Sequence, residues 1–265
     1  MSFYNLTMRG SAVFIWSDRA LFVGDRSVTA MHSHHAVELA LSLDERRVDL
    51  ASATGSLEAA PGALVRSNAP HRLSIPGPKV AMLYVDAFST VGRQLEHRLR
   101  EVSLAALDRE LVDSLRSGLA SLLDEQAGVV EARRITDAAI DGLLAGEEPL
   151  IGRPDPRVTR ALALIDARLD APPSLAEVSG AVGLSSSRLS HLFKAQVGLP
   201  MRRYVLWMRL RAALTEAMEG GDMARAAHAA GFSDAAHFTR TCRRMFGLPP
   251  TAFAPVDAVF VAPTR

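Results

Sequence analysis

Cysteine is nearly absent from this chain of 265 residues: Cys242 stands alone, so no disulfide can form within it, which suits a reducing compartment. Long apolar runs are missing too. Charges interrupt every stretch well short of the ~18–20 residues that a membrane span needs, and no membrane partner is expected. The opening MSFYNLTMRGSAVF lacks a basic segment followed by an apolar one and a small-residue cleavage site, which argues against a secretory signal and for a cytoplasmic location. No Ser-His-Asp or Cys-His arrangement is supported, because Cys242 falls among core positions of a helix. Nor is there much net charge, only +1, yet that total hides an asymmetry. Residues 1–154 carry 16 Lys and Arg against 20 Asp and Glu, whereas 155–265 carry 14 against 9. A basic half joined to an acidic half fits a polyanion-binding domain attached to one that binds something else.

What is present is apolar enough, at 48% with a mean hydropathy of +0.11, for a globular chain with room for about two domains. From Gly10 to Ser89, short alternating runs such as AVFIW, VELALSL and KVAMLYV are punctuated by turn signals at Pro61-Gly62, Asn68-Ala69-Pro70 and Pro76-Gly77-Pro78. That pattern predicts an antiparallel β-sandwich or barrel. After Thr90 the period becomes helical. Leu95, Leu99 and Val102 share a face, continued by Leu104, Leu107, Leu111, Leu115, Leu119 and Leu122, and a further helix runs from Val129 to Leu144. These helices either cover the strand domain or form a dimer seam. The proline-rich EEPLIGRPDPR, around 147–156, reads as a linker.

Beyond the linker the chain repeats itself. SLAEVSGAVGLSSSRLSHLFKAQVGLP (Ser174–Pro200) and DMARAAHAAGFSDAAHFTRTCRRMFGLP (Asp222–Pro249) each run from a helix cap to a Gly-Leu/Phe-Ser turn, then a basic amphipathic helix ending at Gly-Leu-Pro. Front halves superpose at an offset of 48 residues (Gly183/Gly231) and back halves at 49 (Leu189/Phe238), so one residue is inserted after the second turn. Each copy reads as a helix-turn-helix, whose second helix can enter the DNA major groove. In the first, Leu175, Val178 and Val182, then Leu189, Leu192 and Phe193, point inward, leaving Ser186, Ser187, Arg188, Ser190, His191 and Lys194 for DNA. In the second, Phe238, Cys242 and Phe246 take the core, leaving Ala236, His237, Thr239, Arg240, Arg243 and Arg244. The segment PMRRYVLWMRLRAALTEAMEGG between them predicts one rod-like helix, whose Arg202, Arg203, Arg209 and Arg211 are phosphate contacts or salt-bridge partners.

On these residues, above all AAGFSDAAHFTRTCRRMFGLPPTAF, the region from about 155 to 254 resembles the DNA-binding domain of the AraC/XylS family of bacterial transcription regulators. Two departures are Cys242 at a position usually aromatic, and Ala226 with Ala230 where larger aliphatics are common. The resemblance implies a regulator of promoter DNA, commonly an activator, with RNA polymerase as a further partner.

The other dense chemistry is His32-Ser33-His34-His35 with Glu38, and later His71. On a strand, His32 and His34 share a face, and Glu38 joins them after one flip of phase, while His35 points elsewhere. His71 follows Pro70, where a neighbouring strand would begin. The pattern resembles the cupin motif, which implies a site for a divalent Zn, Ni, Fe or Mn ion, although the glycine usual before the later His is missing. The same side chains could instead line an effector pocket with Trp16, Arg66, Arg72 and Tyr84, or serve a metal-dependent enzyme.

The expectation is thus an α+β chain. It comprises a cupin-like antiparallel barrel (1–90) with following helices that could dimerise (91–146), a linker (147–156), an all-α domain of two helix-turn-helix motifs joined by a long helix (157–254), and a tail (255–265). Its expected function is non-enzymatic regulation of transcription in response to a small molecule or metal.

Overall fold

The computed structural model describes residues 10–262 apart from 26–27, 45–46, 53–54, 76, 78, 149–151 and 254–256. Expectations for the first nine residues, for Pro76 and Pro78, for the middle of the linker and for parts of the tail lie outside the described residues. The chain divides into two compact units, one of 1–149, 246–248 and 255–265, the other of 150–245 and 249–254.

The first unit contains β1 (Ala12–Ile15), β2 (Arg19–Gly24), β3 (Ala36–Ser42), β4 (Val48–Ser52), β5 (Gly55–Ala60), β6 (Gly62–Val65), β7 (His71–Ser74), β8 (Val80–Asp86), α1 (Thr90–Arg98), β9 (Leu104–Ala106), α2 (Arg109–Ser121), α3 (Val129–Leu144) and β10 (Ala258–Val261). The strands form two sheets, one in the order β10-β1-β2-β8-β3-β6-β9 and one in the order β5-β4-β7. The two sheets match the expected antiparallel, cupin-like strand domain, although they do not close into one barrel. Val37, Leu39 and Leu41 of β3 join Leu83 and Val85 of β8 in a core shared with Leu95, Leu99, Leu115, Leu119 and Leu122. The helices thus cover one face of the large sheet. Since strand side chains alternate, Glu38 belongs to the opposite face.

Two elements differ from expectation. The leucine spacing suggested helix through Val102 and Leu104, but α1 ends at Arg98 and β9 pairs antiparallel with β6, Val65 opposite Leu104. That pairing satisfies backbone groups on an edge of β6 that would otherwise be open, and Val102 is left exposed. The residues expected to form a tail include β10, which pairs parallel with β1 and stacks Phe260 on Phe14 at 4.8 Å.

The second unit is helical: α4 (Pro156–Asp166), α5 (Leu175–Ala181), α6 (Ser186–Val197), α7 (Met201–Met218), α8 (Met223–Ala229) and α9 (Ala235–Phe246). The Ser174–Glu177 capping box opens α5, Ser185 caps α6, and Asp222 caps α8. Between α5 and α6 Gly183 has φ +69°, and between α8 and α9 Gly231 has φ +81°, which glycine alone adopts without strain. α7 is one unbroken helix of 18 residues, about 27 Å long. Val178, Val182, Leu189 and Phe193 are buried as expected, whereas Leu175 and Leu192 are half-buried. In α9 the buried side chains are Phe238, Thr241, Cys242 and Met245. Phe246 was expected in that core. Instead it is grouped with the first unit, its ring 6.0 Å from His34 and 5.9 Å from Tyr84, because Met245 satisfies the same helical spacing.

Candidate nucleic-acid interface and candidate metal centre

Each motif of the helical unit buries one face of its second helix and leaves the other in solvent. On α6, Ser187, Arg188, Ser190, His191 and Lys194 are exposed. Ser186 was expected among them, but it is half-buried and its hydroxyl lies 3.1 Å from that of Ser179, tying α6 to α5. On α9, Ala236, Arg240, Arg243 and Arg244 are exposed while His237 and Thr239 are half-buried. The His237 backbone N–H donates to Asp234 at 2.6 Å, and its ring packs against Phe232 at 5.3 Å. Both exposed faces therefore combine Arg or Lys with small side chains, a composition suited to phosphates and base edges. At the start of α7, Arg202 and Arg203 are also exposed. Arg209 is not: its guanidinium donates to the carbonyls of Leu169 and Asp170, each at 2.9 Å.

In the first unit His32, His34, Glu38 and His71 come together, all buried, with one donor atom from each within 4.8 Å of the others. The histidine run does not lie on a strand, since β3 begins only at Ala36. An irregular lead-in carries His32, which bridges His71 at the start of β7, and His34, which lies beside Glu38 four residues on without the change of phase that was expected. His35 itself meets Asn68 at 3.3 Å. Tyr84 lies opposite Glu38 in the β3–β8 register, its ring 5.2 Å from that of His34. Arg66 is engaged elsewhere, by Glu96 and the Arg100 carbonyl. Trp16 sits in the core against Phe14, and Arg72 is exposed on β7.

The hydrogen bonds of this cluster reveal its chemistry. Nδ1 of His32 faces the Ala30 carbonyl at 2.9 Å, Nδ1 of His34 faces that of Ala36 at 3.1 Å, and Nδ1 of His71 faces that of Ala69 at 2.9 Å. A carbonyl only accepts, so each Nδ1 carries the proton, and the neutral ring then has its lone pair on Nε2. Nε2 of both His34 and His71 lies 3.0 Å from the same oxygen, Oε2 of Glu38, so one buried carboxyl oxygen gathers two ring nitrogens whose rings are centred 5.1 Å apart. The carbonyls fix the rings through Nδ1, which would leave Nε2 and the carboxylate to hold a cation. Three imidazoles and a carboxylate suit Zn, Ni, Fe or Mn.

Burial, then the neighbouring His71 and His34, lowers the His32 pKa to about 3. Burial also opposes charge on His71, but the Glu38 carboxylate outweighs it and holds that ring above its ordinary value. Against its own burial, Glu38 is held well below the carboxylate range by the bonds from His34 and His71.

Compared with known proteins, residues 178–254 match the model of a helix-turn-helix domain family. They form an AraC-type helix-turn-helix domain. Among curated relatives, the HTH-type transcriptional regulator ArgR of Pseudomonas aeruginosa is 27% identical over 130 residues, covering 48% of this chain and 40% of that protein. The HTH-type transcriptional regulator GbdR of the same species is 30% identical over 102 residues, covering 38% and 28%. The chain thus spans less than half the length of these relatives. A crystal structure of ToxT from Vibrio cholerae with an unsaturated fatty acid bound aligns over 90% of this chain and 95% of its own, with a TM-score of 0.59 at 13% identity. The AraC-type domain therefore occurs here in a chain whose described fold extends the likeness to its sheet-rich unit.

Side-chain types and spacing identified the four candidate metal ligands and most of the exposed basic residues. The Ala30, Ala36 and Ala69 carbonyls carried no such signal, because a backbone acceptor is indifferent to its own side chain.

Proposed function

We propose that the chain is a sequence-specific DNA-binding transcription regulator whose sheet-rich unit holds a divalent transition-metal ion as its effector or as part of the effector site. The observation that carries the first part is the pair of helix-turn-helix motifs, each with a basic exposed face on its second helix. In this reading Ser187, Arg188, Ser190, His191 and Lys194 of α6 meet one stretch of major groove, and Ala236, Arg240, Arg243 and Arg244 of α9 meet the other. Ser186, His237 and Thr239 hold those helices in place. The chain acts at promoters in the cytoplasm, with RNA polymerase as the further partner that activation requires.

Supporting the second part is the arrangement of His32, His34, Glu38 and His71, four buried side chains that each offer one ligand atom within 4.8 Å of the others. ToxT has an unsaturated fatty acid bound. A buried set of three imidazoles and a carboxylate favours a cation over such an apolar ligand.

The test begins with duplexes that the purified protein retains from a random-sequence pool. Arg188→Ala and Arg240→Ala should each relax base preference at distinct positions of the selected sequence, by about 1–3 kcal/mol. A selected sequence unchanged by both would remove the assigned readers. Metal analysis of the same preparation should find one divalent transition ion per chain, lost in His34→Ala with His71→Ala. Metal-dependent turnover with no retained duplex would replace the regulator with an enzyme.

A further inference from the structure

We propose that Arg209 is a brace between the two helix-turn-helix motifs, a positioning residue that fixes how far apart on DNA the motifs can bind. The inference rests on the DNA-binding reading above and concerns a residue that touches no DNA in it.

Sequence position alone would make Arg209 one more cation on a basic helix, a phosphate contact or half of a salt bridge. The geometry assigns it otherwise. From α7, its Nε donates to the carbonyl of Leu169 and its Nη2 to that of Asp170, both at 2.9 Å. Those carbonyls belong to the connection between α4 and α5, just before Ser174 caps the first motif. The same guanidinium lies against the turn of the second motif. A Cβ added to Gly231 would fall 2.6 Å from its Cζ and its Nη2. One planar group therefore touches the entry to the first motif and the turn inside the second.

The match of shape and chemistry is specific to arginine. Two successive carbonyls accept from adjacent donors of a rigid fork, which the single ammonium of lysine cannot reproduce. Gly231 completes the arrangement from the other side. Its φ of +81° already favours glycine, and any side chain there would displace the guanidinium. The equivalent Gly183 of the first motif, at φ +69°, has no atom within 4 Å of such a Cβ. The repeat thus uses the same turn twice but builds the brace once, at the copy that follows α7.

A brace of this kind leaves each motif able to bind its own half of a site. It restricts the distance between halves, because the entry to one motif cannot shift without carrying the turn of the other. The measurement uses the full-length protein and the duplex sequence it selects from a random pool. Affinities are taken for that duplex, for derivatives with base pairs inserted or removed between the halves, and for duplexes bearing one half. Wild type should bind the selected spacing far better than its neighbours. Arg209→Ala, Arg209→Lys and Gly231→Ala should each bind the selected spacing about tenfold more weakly. They should also show a flattened dependence on spacing and keep the wild-type affinity for single halves.

The slope of log affinity against log salt should be unchanged in all three, since no phosphate contact is removed. A slope reduced by about one unit in Arg209→Ala would overturn the brace in favour of phosphate contact. Equal loss on whole and half sites, or a wild-type spacing preference in Arg209→Lys, would overturn it as well. If wild type retains no duplex at all, the DNA-binding reading falls first and takes the brace with it.

Discussion

At Glu38 a single carboxylate oxygen receives two imidazoles, and this is where the proposed metal ion would make the largest difference. Glu38→Gln keeps the size but halves the acceptor capacity and removes the charge that offsets a cation. Zinc at about a hundred times its dissociation constant should stabilise the wild type by about 2.7 kcal/mol against unfolding. The same zinc should leave Glu38→Gln nearly unmoved, as read from thermal unfolding with and without a chelator. A second buried constellation behaves differently. Arg19, almost wholly buried on β2, donates to Asp18 at 3.0 Å and to Asp137 of α3 at 2.7 Å, while Arg133 reaches Asp18 at 2.9 Å. Burial alone would raise the Asp18 pKa, but the charge of Arg19 and the bond from Arg133 outweigh it and hold the carboxyl below 3.8. A carboxyl depressed on folding adds stability above its unfolded value, and that contribution is lost as pH falls through the folded one. Asp18→Asn should therefore cost about 1–3 kcal/mol at neutral pH, and its deficit should close in urea titrations carried below pH 3.8.

Elements show where local sequence suffices and where it does not. The helix-turn-helix repeat was legible to the residue: α5 and α8 start 48 apart and α6 and α9 start 49 apart, matching the offsets of the two halves. Caps and positive-φ glycines are local chemistry, and they report themselves. Replacing Ser174 by Ala should cost about 1 kcal/mol through the lost capping box. Gly183→Ala should cost about 1–2 kcal/mol from backbone strain alone. Gly231→Ala, which meets the Arg209 guanidinium as well, should exceed it in the same thermal unfolding experiment. Strands β9 and β10 escaped because their stability is not local. Three residues at Leu104–Ala106 carry no pattern of their own, and Leu104 happened to extend a leucine spacing that α1 had already abandoned. β10 is held by its ladder to β1 and by the stack of Phe260 on Phe14, partners more than 240 positions away in sequence. The histidine–glutamate cluster lay in between. Its residue types were visible, but the His32–His71 bridge that joins its two segments is not local in sequence.

On the scale of the whole molecule, the chain passes from the first unit into the second after residue 149, returns for 246–248, and returns again from 255. The helical unit is thus an insertion within the sheet-rich one, and the candidate metal ligands all lie in the early segment of the first unit, between His32 and His71. Whether metal acts as effector is decided by thermodynamics and not by route. If the ion changes affinity for the selected duplex by some factor, the duplex must change affinity for the ion by the same factor, because both paths lead to one ternary complex. For a metal-responsive regulator that factor should be about 5–150-fold. Duplex affinity should be measured in zinc and in chelator, and zinc affinity with saturating duplex and without it. Two equal factors well above one would make the ion an effector. A factor of one in both directions would leave zinc bound as a permanent part of the sheet-rich unit, and the search for an effector would pass to small molecules that displace or cover it.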